Sequence, residues 1–381
     1  MRWIALIVAA VLAACGGASE ETGPKSGEKS AGSALSDRVN GTLAEVVEAV
    51  YIQTNVTALG AAIVHADGRI EIAVAGERTR GSGDYIQPGD MWHLGSNTKS
   101  MTALLYADLV GQGTLEWGAT LPELFPDHSD KMHPDWSNVT IEDLLQHRSG
   151  VADVDVDWLR AAHVSKKTES KQRLDTIEQF LSEPPVFQKD TFQYANLNYI
   201  LAGAAMEQAT GENWETLMAA GSPGALMGAD GWGYGPPQGA QPQGHFMQGV
   251  SAKPAGQEWI GADNPKALGP AGTVHASLRS WGEYARAFLP GSGIMPEATR
   301  KKLTETDTDY ALGWAIYDDP KWGRMLQHAG SNTMWLAQII VLPEHDVALL
   351  VTTNEAGLAA DLAVREATKT IGKLALQDCG L

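Results

Sequence analysis

The chain has 381 residues, 44% of them hydrophobic and 19% charged, an ordinary globular composition with length for one large or two modest domains. Its 46 acidic against 28 basic residues leave a formal net charge of -18, and no lysine or arginine run offsets it locally, which argues against nucleic acid as a partner. Two cysteines, Cys15 and Cys379, supply neither a disulfide framework nor a paired metal motif.

The first segment, "MRWIALIVAAVLAACGG", carries Arg2 and then an apolar run from Trp3 to Ala14 that is too short to span a bilayer. Residues 1–14 are therefore expected to be a signal peptide and the protein to be exported. "LAAC" at residues 12–15 resembles the bacterial lipobox, which implies cleavage before Cys15, acylation of its thiol and attachment to a membrane of the cell envelope on its periplasmic or extracellular side. Small residues at this place also suit ordinary signal-peptidase cleavage. Residues 16–35 are small and polar, as a flexible tether would be, so that the tether with its anchor spans 15–35 and the folded domain is expected over 36–378.

The domain opens with a helical pattern in "LSDRVNGTLAEVVEAVYIQT", where Ser36 or Asp37 is available as N-cap. Asp67-Gly68 between apolar runs rich in Ile and Val predicts a hairpin, because both turn positions tolerate positive φ. A mostly helical section comes next, with "SMTALLYADLVGQG", "TIEDLLQH", "LDTIEQFLSE", "ANLNYILAGAAMEQATG" and "SLRSWGEYARAFL". Within it, residues 219–275 are rich in Gly and Pro and read as an irregular insert. The rings of that insert, Trp232, Tyr234, Phe246 and Trp259, either wall a pocket or cover core. The C-terminal part returns to strands in "YALGWAIYDD", "GRMLQHAG" and "TMWLAQIIVLPEHDVALLVTTNE", then ends in a helix. The expected class is α+β: one antiparallel sheet built from both chain ends and flanked by helices, with a mostly helical subdomain over roughly residues 96–290 inserted in it. No internal repeat is evident.

The chemistry begins in "MWHLGSNTKSMTALLYADLV", residues 91–110. On a helix beginning at Ser96, positions three apart share a face, so Ser96 and Lys99 meet within one turn. Burial and the positive end of the helix dipole lower the pKa of such an amine, which then accepts the hydroxyl proton. The same helix end leaves the Ser96 N–H free to donate to an oxyanion. Spacing alone favours a capping serine and a solvated lysine, and Ser26 and Lys29 in the tether share it.

"HLGSNTKSMTALL", "FQYANLNYILAG" and "LQHAGSNTMWLAQIIVLP", in that order, resemble the three-motif signature of serine beta-lactamases and penicillin-binding proteins. The branch that groups class C beta-lactamases with DD-peptidases, D-aminopeptidases and related esterases is the most similar. "LLQHRSGV", "PAGTVHASLRSWGEYARAFL" and "YALGWAIY" add to a likeness that covers nearly all of the chain from Ser36 onward. The resemblance implies Ser96 as nucleophile, Lys99 as its proton partner and Tyr194 as a second proton relay, a base once a cation such as Lys99 lowers its pKa. It implies that Asn196 orients Lys99 and hydrogen-bonds a substrate carbonyl. His328-Ala329-Gly330 would be the third motif, on a strand lining the cleft, with Gly330 keeping that strand flat and the Ser331 N–H as second oxyanion donor. His93-Leu94-Gly95 also fits the third pattern, and His147 reads as structural.

Lys-Thr-Gly, which many beta-lactamases carry at the third motif, is absent here, and histidine supplies at best a conditional charge near neutral pH. Gly-x-Ser-x-Gly, His-Glu-x-x-His, Gly-Lys-[Ser/Thr] and Ser-Asp-Asn are absent too, so lipase, zincin, nucleotide and class A plans lose their main support. The chain is accordingly expected to be a serine hydrolase that forms an acyl-enzyme on an amide, lactam or ester, takes a small-molecule or peptide substrate, and needs no metal or other cofactor. A small-acyl esterase of the same fold and a binding protein of the envelope without turnover are the alternatives.

Overall fold

The computed structural model describes residues 41–248, 251–256 and 261–377. The expected signal peptide, Cys15, the tether, Ser36, Asp37, Trp259 and Cys379 lie outside them.

The first described helix, α1 (Leu43–Thr54), is capped by Thr42, whose hydroxyl accepts the Glu45 N–H while the Glu45 carboxylate accepts the Thr42 N–H. Asn55 ends it in the left-handed conformation. Strands β1 (Ala58–His65) and β2 (Ile70–Gly76) form the hairpin expected at Asp67-Gly68, with a difference in its turn. Only Gly68 has positive φ, and the loop closes through His65 N–H to Arg69 O, so one extra residue relaxes the demand on Asp67.

The main sheet has the order β2-β1-β11-β10-β9-β8, all neighbours antiparallel, with β8 Ala315–Asp319, β9 Gly323–Ser331, β10 Leu336–Leu342 and β11 Val347–Thr353. It is built from both ends of the chain, β1 pairing with β11 from Leu59–Thr353 to His65–Val347. Alternation along β1 shows why the sheet is buried on both faces: Leu59, Ala61 and Ile63 join one apolar cluster, and Ala58, Ala62 and Val64 join another. The first cluster lies under α1 and the C-terminal helix Leu358–Gln377; the second continues among the helices that lie in sequence between β2 and β8.

Among those helices, α2 (Thr98–Gly111), α3 (Glu169–Leu181), α4 (Asn196–Thr210) and α5 (Leu278–Arg286) match the predicted helical segments. Ten of the fourteen residues of α2 and ten of the fifteen of α4 are buried. Arg173 of α3, fully buried, is paired with Glu207 of α4 and with Glu215 just beyond it, and it also donates to the carbonyls of Lys266 and Ala267. A buried guanidinium needs this full set of acceptors, and the set fixes residues 266–272 against α3 and α4.

The 219–275 segment is more ordered than its composition suggests. Its β4 (Trp232–Tyr234) and β7 (starting at Val274) join β3 (Met91–His93) in a three-stranded sheet of order β3-β7-β4. Trp232, Tyr234 and Phe246 are half-buried against the second cluster, and Tyr234 also lines a cavity with Asp263 and Asn264; the short strands escaped notice because three or four residues show too little alternation.

Candidate active site

β3 ends at His93, and the chain turns through Gly95, with φ of +51°, into a single 3-10 turn over Gly95–Asn97 before α2 begins at Thr98. The predicted α-helix thus starts two residues later than Ser96. The functional spacing survives, because residues three apart also align on a 3-10 turn. Thr98 Oγ1 donates to Gly95 O, and Asn97 Nδ2 donates to Leu94 O and Ala337 O, tying the turn to β10. From Trp92 to Tyr106 every residue is buried except Ser96.

Lys99 is fully buried and its Nζ meets three oxygens: Ala271 O at 2.7 Å, Asn196 Oδ1 at 2.8 Å and Ser96 Oγ at 3.1 Å. Loss of hydration disfavours its charged form, the charge of Asp153 opposes this in part, and its pKa falls to about 7. Two of the three oxygens can only accept. A neutral amine therefore spends its two protons on Ala271 O and Asn196 Oδ1, which leaves its lone pair directed at the Ser96 hydroxyl.

Asn196, the first residue of α4, is held from its other side: Nδ2 donates to Asp153 Oδ2 at 3.0 Å. Asp153 Oδ1 accepts the Leu197 and Val154 N–H groups, so it caps α4, whose own cap residue Ala195 has no side chain to do so. Asp153 is exposed as a residue, while its carboxylate is enclosed by protein and desolvation raises its pKa.

Tyr194, half-buried, brings its hydroxyl to the Ser96 side chain, and Lys99 Nζ stands over its ring at 4.9 Å from the centroid. Burial raises the phenol pKa by more than the Ser96 contact lowers it. The expectation of a phenol acidified by Lys99 is thus corrected: Tyr194 holds its proton at neutral pH. His147 packs on Tyr194 with ring centroids 4.2 Å apart. Its Nδ1 accepts from Ala195 N–H and Asn198 Nδ2, so its proton is on Nε2, and burial keeps the ring neutral.

His328 on β9 is neutral as well. Its Nδ1 can only donate to the carbonyl of Ala329, at 2.8 Å, so Nε2 must be the acceptor for the Tyr310 hydroxyl at 2.9 Å. Burial first, and the charge of Lys99 second, hold its pKa down at about 3. The conditional charge expected of it does not arise in this setting.

Gly330 is where β9 meets the turn of Ser96. A Cβ at Gly330 would lie 2.0 Å from Leu94 O and 2.6 Å from Ser96 N, and a Cβ at Gly95 would lie 2.5 Å from Ser331 N. Only two glycines permit this approach, and it brings the Ser96 and Ser331 amides close together.

Ser96, Lys99, Tyr194, Asn196, His328, Gly330 and Ser331 therefore surround one place. Sequence reasoning missed Asp153, Tyr310, Asp263 and the Ala271 carbonyl. It also missed that residues 93–98 and 328–333 are both His-x-Gly-Ser-Asn-Thr, a repeat plain in the sequence. Among the described residues no three His, Cys, Asp or Glu side chains are grouped as a metal would require, and no helix is long and apolar enough to cross a membrane.

The Beta-lactamase family matches residues 43–370, which contain the main sheet, all of the described helices but the end of the last, and every residue of this site. The chain belongs to the beta-lactamase family. It is similar to unguisins hydrolase ungD' of Aspergillus campestris, 29% identical over 140 residues that make up 33% of this chain and 24% of that protein, so it spans about a quarter of that relative's length. Penicillin-binding protein 4 of Amycolatopsis lactamdurans is 24% identical over 354 residues, covering 83% of this chain and 86% of that one. Among solved structures, the D-amino acid amidase of Ochrobactrum anthropi SV3, complexed with L-phenylalanine amide, superposes with a TM-score of 0.72 at 15% identity, over 90% of this chain and 99% of that one. At that identity the likeness shows the fold alone.

Proposed function

We propose that this member of the family is a serine hydrolase that forms an acyl-enzyme on Ser96 and acts on esters or amides lacking a free carboxylate beside the scissile bond. The observation that carries the reading is the half-exposed Ser96 in an otherwise buried stretch, 3.1 Å from an amine whose other two directions end on obligate acceptors.

In the first step Lys99 Nζ takes the Ser96 proton as Oγ attacks the carbonyl carbon. The carbonyl oxygen, now negative, faces the Ser96 and Ser331 N–H groups. Tyr194, protonated and in contact with Ser96, hands its proton to the leaving group, and the extra proton that Lys99 took from Ser96 passes to the tyrosine oxygen, so that both groups end as they began. The bond to the leaving group breaks, and Ser96 is left as an ester. Water then attacks that ester, gives a proton back along the same groups, and releases the acid with Ser96 restored.

Substrate class rests on His328. Both of its nitrogens are engaged and it carries no charge, so the third motif offers a carboxylate no ionic partner. Lactams and peptides ending in D-alanine carry such a carboxylate; simple esters and neutral amides do not. A small-acyl ester is accordingly the preferred substrate. We further propose export and anchoring through Cys15, supported by the lipobox-like "LAAC".

Two measurements test this. A fluorophosphonate should label the tryptic peptide containing Ser96 in the folded protein, and absence of label leaves the binding-protein alternative. Parallel assays on a short nitrophenyl ester, a chromogenic cephalosporin and a D-Ala-D-Ala peptide should rank the ester first. Mass analysis of the mature N-terminus in wild type and Cys15→Ser tests the anchor.

A further inference from the structure

Asp263, in the stretch of chain that leads to β7, touches both copies of His-x-Gly-Ser-Asn-Thr with one oxygen. Its Oδ1 lies 2.8 Å from His93 Nε2 and accepts from Asn332 Nδ2 at 2.9 Å. The His93 contact has the distance of a hydrogen bond without its alignment, so it holds by attraction between a carboxylate and a ring N–H dipole. The tautomer agrees: Gly95 N–H donates to His93 Nδ1 at 3.1 Å, which puts the ring proton on Nε2, toward Asp263. The side chain of Asp263 is 8% exposed and that of His93 is 0% exposed, so water does little to loosen either contact.

The two tied stretches need such a tie. They meet through Gly95 and Gly330, which have no side chains to interlock, and their spacing sets the distance between the Ser96 and Ser331 amides. On one side of the contact Asn97 links the turn to Ala337, the partner of Gly330 across β9–β10. On the other side Asp263 spans from His93 to Asn332. Next to Asn332, Thr333 has φ of +73°, a costly conformation for a β-branched residue. It is held by Thr333 N–H to Ser331 Oγ and by Met334 N–H to Asn332 Oδ1. A strained turn persists only where its surroundings over-determine it. Asn332 is the hinge of that restraint, and Asp263 anchors it.

We propose that Asp263 is a positioning residue that fixes the separation of the Ser96 and Ser331 N–H groups and thereby tunes the oxyanion site; the catalytic part of this rests on the assignment of Ser96 as nucleophile. The same segment also supplies Ala271 O to Lys99, and Asn264 Nδ2 donates to Gly272 O, whose residue lies against Gly95. The insert thus holds both the amine and the oxyanion donors.

The test compares Asp263→Ala and Asp263→Asn in the full chain. Amide hydrogen exchange is followed on peptides spanning 92–100 and 327–336, with kcat and KM on a short nitrophenyl ester and the affinity of a boronate that forms a tetrahedral adduct. Asp263→Ala should lose protection in both peptides together, lower kcat by about 100-fold at near-constant KM, and lose boronate affinity in parallel, since small misplacements carry costs of this size. Asp263→Asn keeps an acceptor oxygen and should retain most of all three. Unchanged exchange in Asp263→Ala, or loss confined to one peptide, overturns the proposal, as does equal loss of activity in both variants with exchange intact. Asn332→Ala severs the other end of the tie and is read the same way should Asp263→Ala not fold. If wild type neither turns over the ester nor binds the boronate, the hydrolase reading fails, while the exchange result still decides whether Asp263 is the tie.

Discussion

The amine of Lys99 stands over the face of the Tyr194 ring, 4.9 Å from its centroid. A ring face attracts an ammonium by about 0.5–2 kcal/mol, less than burial takes away, and the pKa of Lys99 settles at about 7. In the proposed mechanism the neutral amine is the active form. Activity on a neutral ester, measured as kcat/KM against pH, should therefore rise through about 7 and then level.

Stability carries the same signature. In the unfolded chain Lys99 has an ordinary pKa, near 10.5, so between about 7 and 10.5 the unfolded state binds more protons. Unfolding free energy attributable to this residue accordingly rises with pH across that window. Lys99→Met should remove that slope, which denaturant titrations of both proteins at several pH values will show.

Asp153→Asn removes the charge and keeps one acceptor oxygen for the helix cap, while its amide NH2 replaces the oxygen that accepted from Asn196 Nδ2, so the hold on Asn196 loosens as well. An amide oxygen still caps α4, so the melting temperature should change little. The negative charge that raises the Lys99 pKa is gone, and the acid limb of the pH profile should move to lower pH.

Gly330→Ala places a methyl group 2.0 Å from Leu94 O and 2.6 Å from Ser96 N, both backbone atoms that cannot swing aside. The strand has to move, at a cost of about 1–3 kcal/mol. Phosphonate labelling of Ser96 should fall by about 100-fold or more, as when an oxyanion donor is lost, while circular dichroism shows a folded protein.

Arg173→Leu leaves Glu207 with a buried carboxylate and frees the carbonyls of Lys266 and Ala267. Breaking a buried pair costs about 3–5 kcal/mol, visible in chemical denaturation. Because residues 266–272 also present Ala271 O to Lys99, activity should fall further than the folded fraction does.

The fold was legible where side-chain pattern carries it. Apolar runs in 58–65 and 347–353, the first followed by Asp67-Gly68, announced a sheet shared by the two ends, and helical spacing announced α2 and α4. Ser96 with Lys99, and Tyr194 with Asn196, were visible because their spacing and order have a meaning of their own. The Ala271 carbonyl was not, since every residue has one and only the fold selects it. Asp153 and Asp263 look like loop acids until their partners are placed beside them. The charge state of His328 was misjudged for a similar reason: the Tyr310 hydroxyl and the burial that settle it come from eighteen positions upstream and from packing.

Thr57 and Glu355 are hydrogen-bonded across 298 positions of chain, beside the strands that pair the two ends of the main sheet. A polypeptide made from its N-terminus must hold β1 and β2 without a neighbour until nearly all of the remaining sequence has appeared. Closing so long a loop comes late and slowly, so the growing chain spends most of its synthesis unable to complete its central layer.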